Sequence, residues 1–408
     1  MPTDTTARPY SRRSEIDSFK VMDVMVAAAR LEAAGRHIVH MEVGQPGTPA
    51  PRVAREAVAR IISRDRLGYT LALGIPELRE RISRHYRDAH GLEVPADRII
   101  ITTGSSAAFS LAFHALFDVG DRLLLPTPGY PCYLNIALTL GLAPVFVASG
   151  PDTRWTIDPA RIGAIARAQG ARGLLIASPN NPTGTMLTPE RVAAVVAASG
   201  EAGLHLISDE IYHGLSYGMR ADTVLAHTDR AIVINSFSKY FSMTGWRVGW
   251  MVVPTDLVRT IERLAQNFFI CPPAIAQHAA LAAFSAREEL DGYRAVYARN
   301  RERLLSALPG LGFDCSIPAD GAFYIYANVS QLSDDAQSLA QSILVDAGVA
   351  ATAGHDFHVR GSFPVIEAPG EPPDRERAAR YMRFSYAGSE ADIALAIERL
   401  TAWRAQRG

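Results

Sequence analysis

Ser236-Phe237-Ser238-Lys239-Tyr240-Phe241-Ser242-Met243-Thr244-Gly245-Trp246-Arg247-Val248-Gly249 decides how the rest of the chain is read. An apolar run, 231–235, precedes it, and a second, 248–253, follows the arginine. Short continuous apolar runs bounded by polar residues read as strands buried on both faces. The segment therefore sets one lysine in a polar loop between two buried strands. Desolvation and nearby positive charge lower a lysine's pKa and free its amine as a nucleophile for a Schiff base. Arg247 offers a planar fork of donors that matches a phosphate or a carboxylate. Taken alone, the same residues also fit a surface lysine beside a structural arginine.

Working outward, comparable runs recur at 98–102, 121–125, 143–147, 172–177 and 204–208. With 231–235 and 247–253 they make seven strands, and helix-like or polar stretches separate most of them. That pattern predicts an α/β fold with a mostly parallel seven-stranded sheet covered by helices on both faces. In such sheets ligands collect beyond the carboxyl ends of the strands. Polar motifs stand there: Gly104-Ser105-Ser106, the run from Pro126 to Tyr130, Ser178-Pro179-Asn180-Asn181, Asp209 and Lys239. A strand, a glycine turn and a helix start present backbone N–H groups to a phosphate. Ser105 and Ser106 are equally good N-cap types. A carboxylate at a buried strand end, as at Asp209, is costly unless it meets a cation.

The chain has 408 residues, 48% hydrophobic and 20% charged, with a net charge of −1. Its length predicts two domains. Nothing in the charge balance calls for nucleic acid or an anionic membrane. No apolar run approaches the roughly 20 residues of a membrane span, and Met1 to Arg13 lacks the apolar core of a secretory signal. Three widely spaced cysteines, Cys132, Cys271 and Cys315, read as free thiols, and with them a cytoplasmic location. From Ser18 a helix is predicted, with Val21, Val24, Met25 and Ala28 on one face and Gly35 closing it. A long connecting helix is predicted over 286–308, strands over 323–327 and 383–386, and a capping box at Ser389.

Ser-x-Ser-Lys followed by Met-Thr-Gly-Trp-Arg-Val-Gly resembles the lysine site of class I/II aminotransferases, pyridoxal-phosphate (PLP) enzymes of fold type I. The resemblance runs from about residue 16 to 400 and includes Ser178-Pro-Asn-Asn181-Pro-Thr-Gly184, Asp209-Glu-Ile-Tyr212 and Arg383-Phe-Ser-Tyr386. It implies that residues 1–45 form an arm and a small-domain segment, 46–289 a large PLP-binding domain, and 290–408 a smaller α/β domain. It implies that Lys239 carries PLP as an internal aldimine and later moves the proton. Arg247, Gly104, Ser105, Ser106, Ser236 and Ser238 would serve the phosphate and the lysine loop. The Tyr130 ring would stack on the pyridine, in preference to Tyr133. Asn181 and Tyr212 would bind the 3′-oxygen and Asp209 the ring nitrogen. Gly44 and Arg383, with Asn181, would hold the substrate carboxylate. Tyr69 would reach the phosphate of a neighbouring subunit, so a homodimer is implied. The substrates would be an L-amino acid and a 2-oxo acid.

One stretch departs from the family pattern: Ala353-Gly354-His355-Asp356-Phe357-His358, then a proline- and charge-rich run, 364–377, read as a loop at the site mouth. No second arginine is assigned to a side-chain carboxylate, and Arg12, Arg13 and Arg360 have no assigned role. The same constellation serves PLP-dependent C–S lyases and cyclising enzymes, which differ in product. It also occurs in PLP-binding regulators, which carry a basic DNA-binding domain for which the first 15 residues leave no room.

Overall fold

The computed structural model describes residues 10–407. The expectations for residues 1–9 lie outside the described residues. The central sheet has eight strands, in the spatial order Val365–Ile366, Ala143–Ala148, Arg122–Thr127, Ala171–Ala177, His205–Asp209, Ile232–Ser236, Gly249–Val252 and Ile99–Thr102. Neighbours pair in parallel up to Ile232–Ser236, and Gly249–Val252 is antiparallel to both of its neighbours. The continuous apolar runs have a direct cause. Ile99, Ile101, Leu124, Leu174 and Val233 point into one core, and Ile100, Leu123, Leu175, Ile232 and Ile234 point into another on the opposite face. Successive residues of a strand face opposite ways, so both faces must be apolar when helices cover both. Each such buried side chain contributes about 1.5–3 kcal/mol.

The predicted sheet has seven strands, and the eighth comes from an unexpected place. Val365 and Ile366 pair in parallel with Phe146 and Val147. They belong to the stretch read as a loop at the site mouth, which also forms a helix, Asp374–Arg380. This stretch is thus partly an edge of the sheet. A second difference lies at Arg247. The strand begins only at Gly249, because Thr244–Trp246 forms a 3₁₀ turn and Arg247 takes a left-handed conformation with φ 51°. Ser105 and Ser106 are not N-caps: the helix Gly104–Leu116 already includes them, and its N-cap, Thr103, makes no side-chain cap hydrogen bond.

Beside the large sheet, Tyr324–Asn328, Tyr381–Ser385 and Thr352–Ala353 form a small antiparallel sheet. Val39–His40 pairs in parallel with Val349–Ala350. The long helix Arg287–Ala307 runs between the two regions, and Glu390–Ala405 starts at the predicted Ser389–Asp392 capping box. The first helix spans Lys20–Ala33 and buries Ala28. Among the described residues no helix is long and apolar enough to cross a membrane.

Candidate active site

The strand directions explain why dispersed motifs meet. Asp209 ends one parallel strand, Asn181 and Lys239 follow two others, and the helix at Gly104 follows a fourth that runs the same way. Gly249–Val252 runs against them, so its entry at Arg247 reaches the same edge from which Lys239 leaves. Between this edge and the small sheet lies a cavity of about 300 Å³. Its lining includes Gly44, Ser105, Ser106, Tyr130, Asn181, Asp209, Tyr212, Ser238, Lys239, Arg247 and Arg383, so most of the sequence-predicted site residues converge there.

At the centre, the Lys239 Nζ donates to the Gly44 carbonyl at 2.5 Å. Burial pulls its pKa down, the positive charges of Arg383 and Arg247 add to this, Asp209 opposes them, and the net value is about 8. Glycine at 44 is required by space, because a Cβ would run into the Tyr324 hydroxyl. That hydroxyl is 2.7 Å from the Tyr212 hydroxyl.

At the floor, the Asp209 carboxylate is buried. It accepts from the Tyr133 hydroxyl at 2.5 Å and from the Ile211 N–H at 3.1 Å. Burial raises its pKa to about 6, against the lowering effect of those hydrogen bonds and of Lys239. Among the described residues no lysine, arginine or histidine forms an ion pair with it. A buried acid aimed into a cavity with no cation of its own fits a protonated ring nitrogen.

At one end, Ser105, Ser106, Ser238 and Arg247 gather at the start of the helix Gly104–Leu116. Uncapped first-turn N–H groups beside a guanidinium form an anion site. Gly104 does not line the cavity. It has φ +74°, and a Cβ there would strike the Arg247 guanidinium, so it makes room for the arginine. Ser236 also stands outside the lining: its hydroxyl lies 2.8 Å from that of Ser238 and 3.1 Å from the Val248 carbonyl. It therefore supports Ser238 from behind.

At the other end, the buried Arg383 donates to Asn181 Oδ1 at 2.8 Å and to the Glu42 carbonyl. Its guanidinium is sandwiched between the rings of Tyr324, at 4.3 Å, and Phe357, at 4.6 Å. Each terminal nitrogen keeps a second hydrogen for a carboxylate, and the Asn181 amide nitrogen stays available to the cavity.

Tyr69 is not brought to this cavity. It is 83% exposed on its own chain. The Tyr130 ring lines the cavity and stacks on Phe19 at 6.0 Å. Sequence reasoning missed Tyr133, Tyr324, Phe19, Met22, Asp356 and Phe357, all of which line the cavity. The aromatic pairs Tyr130/Tyr133 and Tyr324/Tyr326 were visible, but nothing local marks that both members of the first and only Tyr324 of the second line the cavity.

The cavity thus joins a buried acid, an amine, and a helix start with an arginine, a donor set that PLP would fit. The chain belongs to the aminotransferases of class I and II, whose family model matches residues 36–400. It is 43% identical over 395 residues to a valine–pyruvate aminotransferase of Mycobacterium tuberculosis, covering 96% of this chain and 97% of that one. It is 32% identical to a (5-formylfuran-3-yl)methyl phosphate transaminase of Methanocaldococcus jannaschii, covering 95% and 97%. Among solved structures, an aminotransferase from Mycobacterium tuberculosis superposes with a TM-score of 0.91 at 42% identity, covering 98% of this chain and all of that one. Aspartate aminotransferase from Thermus thermophilus with maleate gives 0.86 at 30% identity, covering 97% and 100%. The chain is a PLP-dependent aminotransferase.

Proposed function

We propose that this enzyme transfers the amino group of a small apolar L-amino acid to a small 2-oxo acid such as pyruvate, with Lys239 as the working amine. One observation carries the choice of donor. Besides the groups given roles below, the cavity lining includes Phe19, Val21, Met22, Ile211 and Phe357, and its one other charged group, Asp356, is already paired with Arg360. An apolar side chain suits such a wall, and a second carboxylate does not. The valine–pyruvate name of the relative from M. tuberculosis supports the same reading.

The roles follow from position. Ser105, Ser106, Ser238 and Arg247 would hold the cofactor phosphate, with Ser236 and Gly104 shaping that end. Asp209, oriented by Tyr133, would hold the ring nitrogen, and Asn181 and Tyr212 would hold the 3′-oxygen, with the Tyr130 ring lining the same cavity. When bound, PLP supplies an electron sink for the bonds at the substrate's α-carbon. Arg383 grips the substrate carboxylate through two N–H donors, next to Gly44. With a pKa near 8, the Lys239 amine is suited to take a proton from the substrate's α-carbon and to give it back. Amino donors tested against pyruvate and 2-oxoglutarate decide the reading. A new amino acid in amounts matching the 2-oxo acid formed supports transfer from an apolar donor. Activity confined to aspartate or glutamate overturns the donor.

The assembly we infer is a cytoplasmic homodimer. Tyr69, Leu71 and Ile270, in neighbouring loops, and Phe268, at the end of the helix Val258–Phe268, are large apolar side chains left exposed. Those loops are tied by Thr70 N–H to the Cys271 sulfur at 3.4 Å and by Gln277 to the Thr70 hydroxyl at 3.0 Å. An exposed apolar patch of this kind fits an interface. From there Tyr69 would enter the partner's phosphate end. The free thiols of Cys132, Cys271 and Cys315 suit a reducing compartment.

A further inference from the structure

We propose that Asp356 is a positioning residue for substrate specificity: its buried carboxylate fastens the first turn of helix Lys20–Ala33 across the cavity, as the wall that the donor's side chain meets. The inference rests on the apolar-donor reading above. The helix starts at Lys20 without a cap of its own, because its N-cap residue is Phe19. Asp356, 336 residues away, supplies the missing acceptor: Oδ1 takes the Lys20 N–H at 2.9 Å and Oδ2 the Val21 N–H at 3.4 Å. A carboxylate on first-turn N–H groups is the favourable charge for that helix end. Arg360 completes the strap. It pairs with Asp356, donates to the His355 carbonyl at 2.8 Å and reaches the Ser18 carbonyl at 3.4 Å. Arg360 does not line the cavity, so its guanidinium is not placed to receive a substrate carboxylate there.

What the strap holds matters for chemistry. Phe19, Val21 and Met22 all line the cavity, and Phe19 stacks on Tyr130. The residue after Asp356 is Phe357, whose ring lies against the Arg383 guanidinium. One short segment thus touches the carboxylate anchor with one residue and the side-chain wall with its neighbour. The segment itself is immobilised from behind by His358, whose Nδ1 lies 2.8 Å from Asp374 and whose Nε2 lies 2.8 Å from the Tyr326 hydroxyl. The spacing between anchor and wall sets which side chains fit.

The test uses PLP-loaded full-length protein. Asp356→Ala, Asp356→Asn, Phe19→Ala and the Asp356→Ala/Phe19→Ala double variant are compared in the half-reaction with L-valine or L-alanine alone, read at the cofactor absorbance. Hydrogen exchange at the Lys20 and Val21 amides is followed in parallel. Asp356→Ala should lower the valine-to-alanine ratio of kcat/KM about tenfold, mainly through KM, in line with the worth of one apolar contact. Phe19→Ala should do the same, and the double variant should go no further than either single one. Exchange should speed up in Asp356→Ala and not in Phe19→Ala, with Asp356→Asn between wild type and Asp356→Ala. Equal losses for both donors, multiplying effects in the double variant, or unchanged exchange would overturn the proposal. A wild-type enzyme inert toward both donors would overturn the donor reading and the specificity role together, and faster exchange in Asp356→Ala would then still support the strap.

Discussion

Asp374→Ala should destabilise the protein by about 4 kcal/mol, the middle of the roughly 3–5 kcal/mol range for breaking a buried charged pair from one side. The charged pair is Asp374 with Arg377, both side chains buried, and the buried His358 Nδ1 lies 2.8 Å from the same carboxylate. Asp374 also accepts from the Thr127 hydroxyl at 2.9 Å and from the Val359 N–H at 2.9 Å, and lies 3.4 Å from Arg377. Alanine removes the shared acceptor and strands several donors, each costing about 1–3 kcal/mol when buried and unmet. Relaxation recovers part of that sum, so the pair figure is the better guide. The assay is urea denaturation of PLP-loaded protein, read as the change in midpoint at constant slope. The pH dependence follows from the carboxyl group. Burial alone would raise its pKa, but His358 and the hydrogen bonds from Val359 and Thr127 outweigh burial and lower it. A depressed acid contributes stability above its unfolded value, near 3.9, and loses it as pH falls through the folded value. The gap between wild type and variant should therefore be full at neutral pH and shrink below about pH 4. A loss under about 1 kcal/mol at pH 7 would refute the reasoning, since a satisfied surface acid would cost no more.

Four other outcomes are expected. Capture of PLP by the apoenzyme, followed by visible absorbance, should speed up as pH rises through about 8, because only the neutral Lys239 amine attacks and its pKa lies there; a rate flat from pH 7 to 9 contradicts it. Tyr133→Phe should lower kcat about tenfold or more with less change in KM, since it removes the 2.5 Å hydrogen bond that orients Asp209. Gly44→Ala should cost at least tenfold in kcat/KM, because its Cβ would collide with the Tyr324 hydroxyl; Tyr324→Phe in the same chain should restore part of it. Inactive Lys239→Ala and weakened Tyr69→Ala chains, mixed and reassembled, should regain activity if Tyr69 crosses between subunits; no gain over the separate variants places Tyr69 elsewhere.

Legibility in the sequence followed the range of the physical signal. Runs such as Ile99-Ile100-Ile101 announce a strand because each residue must find an apolar neighbour on its own face, and the sheet provides one on both. The motifs at Asn181, Asp209 and Lys239 were legible for a related reason: the ends of parallel strands share one edge, so sequence order fixes spatial company. Arg247 misled because the apolar run after it continues into a strand, whereas Arg247 itself ends the 3₁₀ turn Thr244–Trp246 in a left-handed conformation. Val365–Ile366 carries no strand signal among its prolines and charges; pairing with Phe146 and Val147 creates it. The same holds for the substrate end. Asp356 means nothing locally until the Lys20 and Val21 N–H groups arrive from the far end of the chain. The groups that gather around Lys239 are thus written in short motifs, and the wall of Phe19, Val21 and Met22 is held by contacts between distant parts of the chain. Substitutions in the 355–377 stretch and in residues 18–22 should accordingly change which donor is used before they change whether transfer occurs. A set of such variants that lost all donors alike would show that selection and chemistry are not separated in this way.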